Sequence, residues 1–390
     1  MKKLIFFLFW VLTPIIANAY DFEVDGIYYN ILSTADKTVE VSYNPSDLYS
    51  GDIVIPEKVT YKGVEFDVVM FNALWVDDQY ADYSPVINSL KLPKSIKRFG
   101  GLSRKGFSRF AYTVKKLVIS DLEAWCNADF TDEDGAISGI HNPLCVSEEF
   151  YLNDQKIEKL TIPNTITEIK ALAFVFAPIK ELIIPNAVKT LGYGSFSQCA
   201  NLKSIYIPSS VEKINFSFSE LESLEEVEFE DGINLKELNG FWRCPKLKAI
   251  EIPSSVTSIF VDAFSECPGL KKVVLPEFLE NICEFRECPN IEIIESYIKE
   301  PFPIKAFDNA VKMFATLYVP TGTKAKYEAT EGWKDFANIV ESEALGMTRV
   351  SLDSPVNQIY SLDGRKTNEP KSGLNIFRTN DGKVKKVIVR

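Results

Sequence analysis

A proline follows a short apolar strand at nearly constant intervals along this chain of 390 residues. Neighbouring prolines are separated by about 22 residues or by close to twice that distance, and each long interval has a strand without proline near its middle. Self-similarity at this period predicts a solenoid in which each unit forms one coil. The prolines that define the period are Pro163, Pro185, Pro208, Pro253, Pro276 and Pro320.

One unit, VKTLGYGSFSQCANLKSIYIP at residues 188–208, shows how the coils must pack. Ile205 and Ile207 alternate and point to one side of a strand, while Cys199 and Leu202 approach that strand from the preceding turn. A single unit cannot cover its own apolar edge, so successive coils must stack with their strands in parallel, about 4.8 Å apart. The first predicted ladder of buried side chains is Leu160, Leu182, Ile205, Val227, Ile250, Val273 and Ile294. The second is Phe174, Phe196, Phe218, Phe241, Phe264 and Phe285.

The repeat also resembles a known family. Its pattern, V-x-x-I-x-x-x-A-F-x-x-C-x-x-L-x-x-I-x-I-P, is nearly intact in VTSIFVDAFSECPGLKKVVLP at residues 256–276. This is similar to the BspA-like leucine-rich repeats of bacterial surface proteins, over roughly Val86 to Glu341. Residues 315–341 resemble the terminal repeat of that family.

The resemblance implies a mostly β, α/β-type right-handed solenoid with a parallel sheet. It would contain about ten coils, each of about 21–23 residues. The resemblance also implies adhesion or recognition of large molecules at the cell exterior.

The ends of the sequence differ from the repeats. Lys2, Lys3, an apolar run and the triplet Ala17-Asn18-Ala19 predict a signal peptide at residues 1–19, and hence export to the extracellular space or outer cell surface without a membrane span. Residues 20–85 are expected to form an N-terminal β-hairpin cap, residues 86–342 the solenoid, and residues 343–352 a linker.

Residues 353–390 predict a small C-terminal β tail of three strands, NQIYSL, GLNIFRT and VKKVIVR. The pattern I-Y-x-L-x-G-R, then G-L-x-I, then K-K-V-I-V is similar to C-terminal sorting domains of type IX secretion. The alternative is a β cap for the C-terminal end of the solenoid.

Composition argues against several classes of function. The formal net charge of −11 disfavours binding to nucleic acid or anionic lipid, since both require clustered Lys and Arg. A single histidine, His141, argues against most histidine-dependent catalysis and against histidine-rich metal sites. The Gly192-x-Gly194 turn lacks the third glycine of a phosphate-binding loop. We therefore expect no enzyme activity and no cofactor.

An acidic insertion, DFTDEDGAISGIH, has some of the composition of a calcium loop. With Gly135 at the sixth position of an EF-hand, the first and twelfth ligands would be Phe130 and His141, which do not fit. A solvated acidic loop is the expectation, and no metal site is predicted.

The seven cysteines are expected to remain largely unpaired. Equivalent residues of adjacent coils point in the same direction, whereas a disulfide needs converging Cβ atoms, so buried thiols are favoured. Cys283 with Cys288 and Cys126 with Cys145 stay open as alternative pairs. The cysteines that share one repeat position are Cys199, Cys244, Cys267 and Cys288.

A partner is expected to bind the outward face of the strands. In a leucine-rich solenoid, the residue between the two inward positions of each strand points to the concave face. One such column is Lys91, Val118, Thr161, Ile183, Tyr206, Glu228, Glu251, Val274 and Glu295, and its neighbour is Lys159, Glu181, Ser204, Glu226, Ala249, Lys272 and Ile293. The candidate site within them is Ile183, Tyr206, Glu226, Glu228, Glu251 and Val274. Tyrosine beside carboxylates suits a basic or polar partner, and an ordinary polar sheet face is the alternative.

These features predict a non-catalytic surface protein that binds host proteins or glycoproteins, such as extracellular matrix. Two alternatives stay open at this point. The first is a glycan-binding accessory protein of bacterial nutrient capture, and the second is a structural envelope protein with no specific ligand.

Overall fold

The computed structural model describes residues 20–43, 48–73, 85–100, 112–131, 142–283 and 285–346, together with the backbone of four strands between residues 356 and 389. The predicted signal peptide at residues 1–19 and the acidic loop that leads to His141 lie outside the described residues.

Short strands dominate the structure, and its helices are few. The α-helices are α1 (Leu122–Asn127), α2 (Asn309–Phe314) and α3 (Lys324–Ala329), and the 3-10 helices are Pro143–Val146 and Glu343–Gly346. The strands of the first half are β1 (Phe22–Val24), β2 (Ile27–Ser33), β3 (Thr38–Ser42), β4 (Gly51–Val54), β5 (Lys58–Tyr61), β6 (Val64–Phe71), β7 (Val86–Leu92), β8 (Arg98–Phe99), β9 (Thr113–Ile119), β10 (Ser147–Leu152), β11 (Gln155–Lys156), β12 (Lys159–Thr161), β13 (Glu168–Ile169), β14 (Glu181–Ile183) and β15 (Thr190–Leu191). Those of the second half are β16 (Ser204–Ile207), β17 (Lys213–Ile214), β18 (Glu226–Phe229), β19 (Glu237–Leu238), β20 (Ala249–Glu251), β21 (Ser258–Ile259), β22 (Lys272–Leu275), β23 (Asn281–Ile282), β24 (Ile293–Ser296), β25 (Thr316–Pro320), β26 (Asn338–Ser342), β27 (Val356–Tyr360), β28 (Lys366–Thr367), β29 (Gly373–Thr379) and β30 (Val384–Val389).

The chain from 157 to 342 forms a regular stack of coils that follows the repeat period. The main strand of one coil pairs in parallel with that of the next: β12 with β14, β16 with β18, and β20 through β22, β24 and β25 to β26. A second, shorter strand in each coil forms two further parallel sheets, β13-β15-β17 and β19-β21-β23. The fold is therefore the mostly β parallel solenoid of about ten turns that the repeat period predicts.

The phenylalanine ladder is confirmed along the regular stack, and the first ladder is confirmed except at Val227, whose side chain is only partly buried. Leu160 lies beside Leu182, and Val273 beside Ile294, as Cα partners of paired strands. The six phenylalanines are fully buried, and successive rings stack at centroid distances of 5.4 to 5.6 Å. Phe307 extends the ladder by one more ring, 5.1 Å from Phe285. The core therefore runs without interruption along the axis of the stack.

Close approach of neighbouring coils explains why glycine occupies position 192. A Cβ atom at Gly192 would lie 2.6 Å from the backbone nitrogen of Ala171 and 2.6 Å from the carbonyl oxygen of Ile169. Backbone atoms of the preceding coil thus fill the space that a side chain would need. The Gly192-x-Gly194 turn is therefore a packing feature.

The N-terminal region, residues 20–152, combines antiparallel and parallel pairing. Strands β1, β2 and β3 form an antiparallel meander, and β5 pairs antiparallel with β6, as the predicted hairpins require. However, β3 pairs in parallel with β6, and β4 in parallel with β7. The parallel sheet β4-β7-β9-β10 therefore continues across residue 85, where the sequence suggests a division between cap and solenoid.

Two buried side chains join the N-terminal region to the regular stack. The indole N–H of Trp125, in α1, donates to the carbonyl oxygen of Ala173 at 2.7 Å. The side-chain amide of Asn142 donates to the carbonyl oxygens of Leu172 and Ala173 at 2.7 and 3.2 Å. Both residues are almost fully buried, so these bonds are shielded from water.

All seven cysteines are free thiols. The four that share a repeat position are fully buried, and each donates its S–H to the carbonyl oxygen of a ladder phenylalanine in the preceding coil. For Cys288 the acceptor is Phe264, at 3.0 Å. The thiols thus act as small core side chains that also satisfy a backbone carbonyl of the neighbouring coil.

The C-terminal coils end on aromatic side chains. Trp333 and Tyr327 are fully buried, and the Tyr327 hydroxyl donates to the carbonyl oxygen of Ile298 at 2.8 Å. Beyond the regular stack, β28, β27, β29 and β30 form a separate antiparallel sheet in that order. This confirms the three strands predicted for the tail and adds the short β28. No helix in the described part of the chain is long and apolar enough to cross a membrane.

Candidate binding surface on the strand face

The outward side chains of the main strands form a surface that we call the strand face. In each main strand the residue between the two inward-facing positions directs its side chain away from the core. Ile183 is 42% exposed and Tyr206 is 45% exposed. Both values are high for large apolar or aromatic side chains, so neither residue contributes to the core.

The centre of the strand face brings together three of the predicted site residues. Tyr206 is the Cα partner of Glu228 on the paired strand, and Ser204 is the partner of Glu226. Glu226 and Glu228 are exposed. One aromatic ring and two carboxylates therefore share a single two-stranded ladder.

The other predicted site residues contribute unequally. Glu251, on β20, is half-buried and continues the column beyond Glu228. Val274 occupies the next position, as the Cα partner of Glu251 and of Glu295, but it is only 4% exposed. Its side chain therefore offers almost no area to a partner.

Charges on the strand face are neutralised at both ends but not in the middle. At one end Lys159 pairs with Glu181 at 3.0 Å, and at the other Lys272 pairs with Glu295 at 2.5 Å. Among the described residues, no Lys or Arg lies within ion-pair distance of Glu226 or Glu228. Lys248 acts on Glu226 only at longer range, because it pairs with Glu225, so among the described residues the centre presents two carboxylates without an ion-pair partner around an exposed tyrosine.

The Tyr206 hydroxyl remains a hydrogen-bond donor well above neutral pH. Partial burial and then the nearby carboxylate of Glu230 raise the pKa of Tyr206 above its ordinary value. Glu230 is itself held in place, because the backbone N–H of Ser209 donates to its Oε2 at 2.6 Å. This contact lowers the pKa of Glu230, which stays ionised.

Two residues of the same column are absent from the predicted site. Tyr318 on β25 is the Cα partner of Glu295, and Val340 on β26 is the partner of Tyr318. Tyr318 is half-buried and Val340 is 36% exposed. The sequence could have indicated both residues. Tyr318 stands in LYVP just as Tyr206 stands in IYIP, and the column of outward residues continues past Glu295.

The described residues of the strand face form no cluster that could hold a metal ion. The described residues contain no group of three or more His, Cys, Asp or Glu side chains placed to hold a metal ion. Most of the acidic insertion with calcium-loop composition falls outside that part of the chain. What the face offers chemically is an aromatic surface, hydrogen-bond acceptors and negative charge.

Comparison with known proteins supports the interpretation of the repeats. Residues 145–238 and 195–312 match the family model of the BspA type leucine rich repeat region, in six copies. No protein with a curated description matches the sequence significantly.

Several solved bacterial structures match the chain at low sequence identity. A leucine-rich repeat protein from Bacteroides ovatus is 20% identical, with 83% of this chain and 91% of that chain covered and a TM-score of 0.47. The pneumococcal vaccine antigen PcpA is 15% identical, with 84% and 99% covered and a TM-score of 0.39. A leucine rich cell surface protein from Faecalibacterium prausnitzii is 17% identical, with 70% and 94% covered and a TM-score of 0.25.

Proposed function

Because the repeats between residues 145 and 312 are leucine-rich repeats of the BspA type, we propose that this chain is a non-catalytic recognition protein of the bacterial cell surface. It binds a protein or glycoprotein partner through the strand face. The observation that carries the proposal is that Glu226 and Glu228, which have no ion-pair partner among the described residues, lie beside the exposed ring of Tyr206.

The physical argument rests on what a sheet face normally does with its charges. Carboxylates on neighbouring strands repel each other, and cross-strand Lys–Glu pairs relieve that repulsion. Such pairs occupy both ends of this face and, among the described residues, are absent from its centre. A partner with Lys or Arg at its rim would supply the missing cations, while Tyr206 and Ile183 provide aromatic and apolar area for its core.

The test is binding of the full chain to a panel of matrix proteins, glycoproteins and soluble glycans. We expect Tyr206→Ala combined with Glu251→Lys to weaken binding to the recognised protein at least about tenfold, since anchor residues of this kind contribute about 2 kcal/mol or more. Two changes elsewhere serve as matched controls. Tyr193→Ala removes a tyrosine of nearly the same exposure, 44%, from a turn, and Glu237→Lys reverses an exposed charge on β19.

The outcomes separate the proposal from its alternatives. Loss of binding in the strand-face variant with retention in both controls supports recognition through this face. Binding to an oligosaccharide but to no protein would replace the proposal with glycan capture, for which Tyr206 would serve as the aromatic platform. Absence of binding to the whole panel at micromolar concentration would favour a structural role in the envelope.

Export and display complete the proposal. Residues 1–19 would direct the chain out of the cytoplasm, and the C-terminal segment at residues 353–390 would serve as a sorting segment. Truncation after Leu352 should leave the solenoid folded and the protein undisplayed. Unchanged display of the truncated protein would argue that the segment is only a β cap.

A further inference from the structure

A long groove runs along the turns of the regular stack, on residues that the strand face does not use. Its volume is about 870 Å³, and its walls come from seven successive coils, from Phe176 to Asp308. At a coil spacing of about 4.8 Å, seven coils give a groove roughly 30 Å long. We call it the turn groove.

The backbone explains why the groove exists. The residue two places after each of the six predicted ladder phenylalanines has a positive φ, between 54° and 62°, so the chain turns sharply at the same height in every one of these coils. Proline follows within two residues in three successive coils and leaves an apolar surface between the turns. One wall is formed by the positive-φ residues Phe176, Gln198, Glu220, Arg243, Glu266 and Glu287. The other is formed by Ala200, Glu222, Pro245, Pro268 and Pro289.

One end of the groove is apolar. Phe176 is 40% exposed there, although it lies only two residues from the fully buried Phe174. The exposed phenylalanine in the first coil, and separately the prolines in the fourth to sixth coils, give surfaces on which apolar parts of a ligand can pack.

The rest of the groove is acidic. Its lining holds five carboxylates, at Glu220, Glu222, Glu266, Glu287 and Asp308, against the single guanidinium of Arg243. Two of the bonds these carboxylates accept come from neutral donors: Gln198 donates to Glu220 at 3.3 Å, and the backbone N–H of Glu287 donates to Asp308 at 3.2 Å. Neutral donors orient a carboxylate but leave its charge in place.

Arg243 makes a direct ion pair with only one of these carboxylates. Its Nε donates to Oε2 of Glu266 at 2.6 Å, and its guanidinium lies over the Trp242 ring, 4.2 Å from the centroid. The indole N–H of Trp242 donates to the other oxygen of Glu266 at 3.1 Å. The one cation among the described lining residues is therefore fixed to one carboxylate, and the other four carboxylates have no ion-pair partner within that lining.

From this geometry we infer that the turn groove is a second docking surface, which takes an extended, lysine- or arginine-containing polypeptide segment of another protein. A polyproline II segment of nine residues is about 28 Å long and repeats its side chains about every 9.3 Å, close to the height of two coils. Basic side chains at every third position would reach carboxylates on alternate coils, while the residues between them contact the prolines. Nucleic acid is excluded by the same negative charge.

The test uses the full chain and labelled nonapeptide probes. The probe (Lys-Pro-Pro)₃ is expected to bind, with affinity that falls as salt concentration rises, and (Glu-Pro-Pro)₃ is expected not to bind. The double variant Glu220→Gln with Asp308→Asn changes carboxylates four coils apart, which matches two repeats of the probe, and should weaken binding of the lysine probe about tenfold, which corresponds to about 1.4 kcal/mol. The matched control, Glu237→Gln with Glu280→Gln, removes the same charge from exposed positions outside both surfaces and should change the affinity less than twofold.

Each outcome decides for or against the groove. Equal weakening in the two double variants would show that the probe senses only net charge, and would overturn the inference. Competition by spermine as effective as that of unlabelled (Lys-Pro-Pro)₃ would also overturn it, since a flexible polyamine lacks the apolar residues that contact the prolines. Because the two surfaces use separate variants, loss of the strand-face activity leaves this result unaffected, and the reverse also holds.

Discussion

The regular stack and the N-terminal region both bury aromatic side chains, but they do so by different rules. In the regular stack the rings from Phe174 to Phe307 are nearly parallel, with interplanar angles of 1° to 16°, and each contacts the same residue type one coil away. In the N-terminal region Phe99 contacts Phe71, Trp125 and Phe130 at angles of 59°, 57° and 3°. One region repeats a single contact, and the other assembles unique ones.

The polar contacts of the two regions also differ. In the N-terminal region buried tyrosine hydroxyls bridge distant segments: the backbone N–H of Tyr49 donates to the Tyr112 hydroxyl at 3.2 Å, and the Tyr49 hydroxyl donates to the carbonyl oxygen of Ser42 at 2.8 Å. In the regular stack ion pairs such as Lys189–Glu212 and Lys271–Glu292 link adjacent coils at the surface, both at 3.0 Å. Exposed pairs contribute about 0 to 1 kcal/mol each to the free energy of unfolding. They therefore affect the alignment of adjacent coils more than the stability of the stack.

This difference teaches how stability is distributed. A stack of equivalent coils has a stability that is nearly a sum of coil and interface contributions, whereas the N-terminal region depends on a few contacts that no other residue duplicates. Mutations should therefore act locally and predictably in the stack, and through the whole unit in the N-terminal region.

The largest expected effect comes from breaking the phenylalanine ladder at its centre. Phe241→Ala removes a ring that stacks on Phe218 and Phe264 at 5.5 and 5.6 Å, and should lower the free energy of unfolding by about 3 to 5 kcal/mol. Chemical denaturation followed by circular dichroism measures the loss. If the stack is additive, Phe196→Ala and Phe264→Ala, three coils apart, should combine to within about 0.5 kcal/mol. A larger coupling energy would contradict nearest-neighbour behaviour.

Alkaline pH should destabilise each region through the acidic groups that it buries. Burial raises the pKa of the Cys199 thiol above its ordinary 9.0 in the stack, whereas burial and then Asp25 raise the pKa of Tyr29 from 10.0 to about 12 in the N-terminal region. Both folded states retain the proton, so each contribution is complete below the pKa of the unfolded chain and declines as pH rises above it. The decline approaches about 1.4 kcal/mol per pH unit for each group.

Unfolding free energies at a series of pH values test this. Cys199→Ala should reduce the loss of stability from about pH 9 upward, and Tyr29→Phe should reduce it only from about pH 10 upward. Any constant offset from the lost side-chain volume is removed by comparing slopes. Identical slopes in wild type and Cys199→Ala between about pH 9 and 10 would show that this thiol does not contribute.

The smallest expected effect concerns the junction between the regions. Trp125→Phe removes the N–H bond to Ala173, and should cost about 1 kcal/mol while the amide of Asn142 still reaches the same carbonyl. Trp333→Phe is the matched control, since that buried indole N–H donates to the carbonyl oxygen of Phe302 at 2.9 Å. Only the Trp125 change should separate the unfolding of the two regions in hydrogen exchange. Loss of cooperativity in both variants, or in neither, would argue against Trp125 as the link.

The sequence predicted the structure of the regular stack more completely than that of the N-terminal region. In the regular stack a residue's role follows from its position in the unit, so the Phe ladder and the buried thiols of Cys199 and Cys267 were predictable. In the N-terminal region the hairpins were predictable from turn residues, but the parallel pairing of β4 with β7 was not, because it joins segments that are distant in the sequence and share no pattern.

The same reasoning predicted only part of the two candidate surfaces. Alternation along the strands placed Tyr206 and Glu228 on one face, yet it could not show that the Val274 side chain is covered. The turn groove was not anticipated at all. Its walls depend on the positive φ at residues such as Glu220 and Glu266. A glutamate in the sequence does not predict that backbone conformation.

The direction of the inter-coil hydrogen bonds has a mechanical consequence. The parallel ladders between main strands run along the stack, so a force that separates the two ends pulls these bonds in line and opens them one coil at a time. Each coil that opens releases about 75 Å of extended chain, in exchange for about 4.8 Å of stack. Under tension the stack would lengthen in steps and dissipate load at each one, while the coils that remain closed keep their ladders intact.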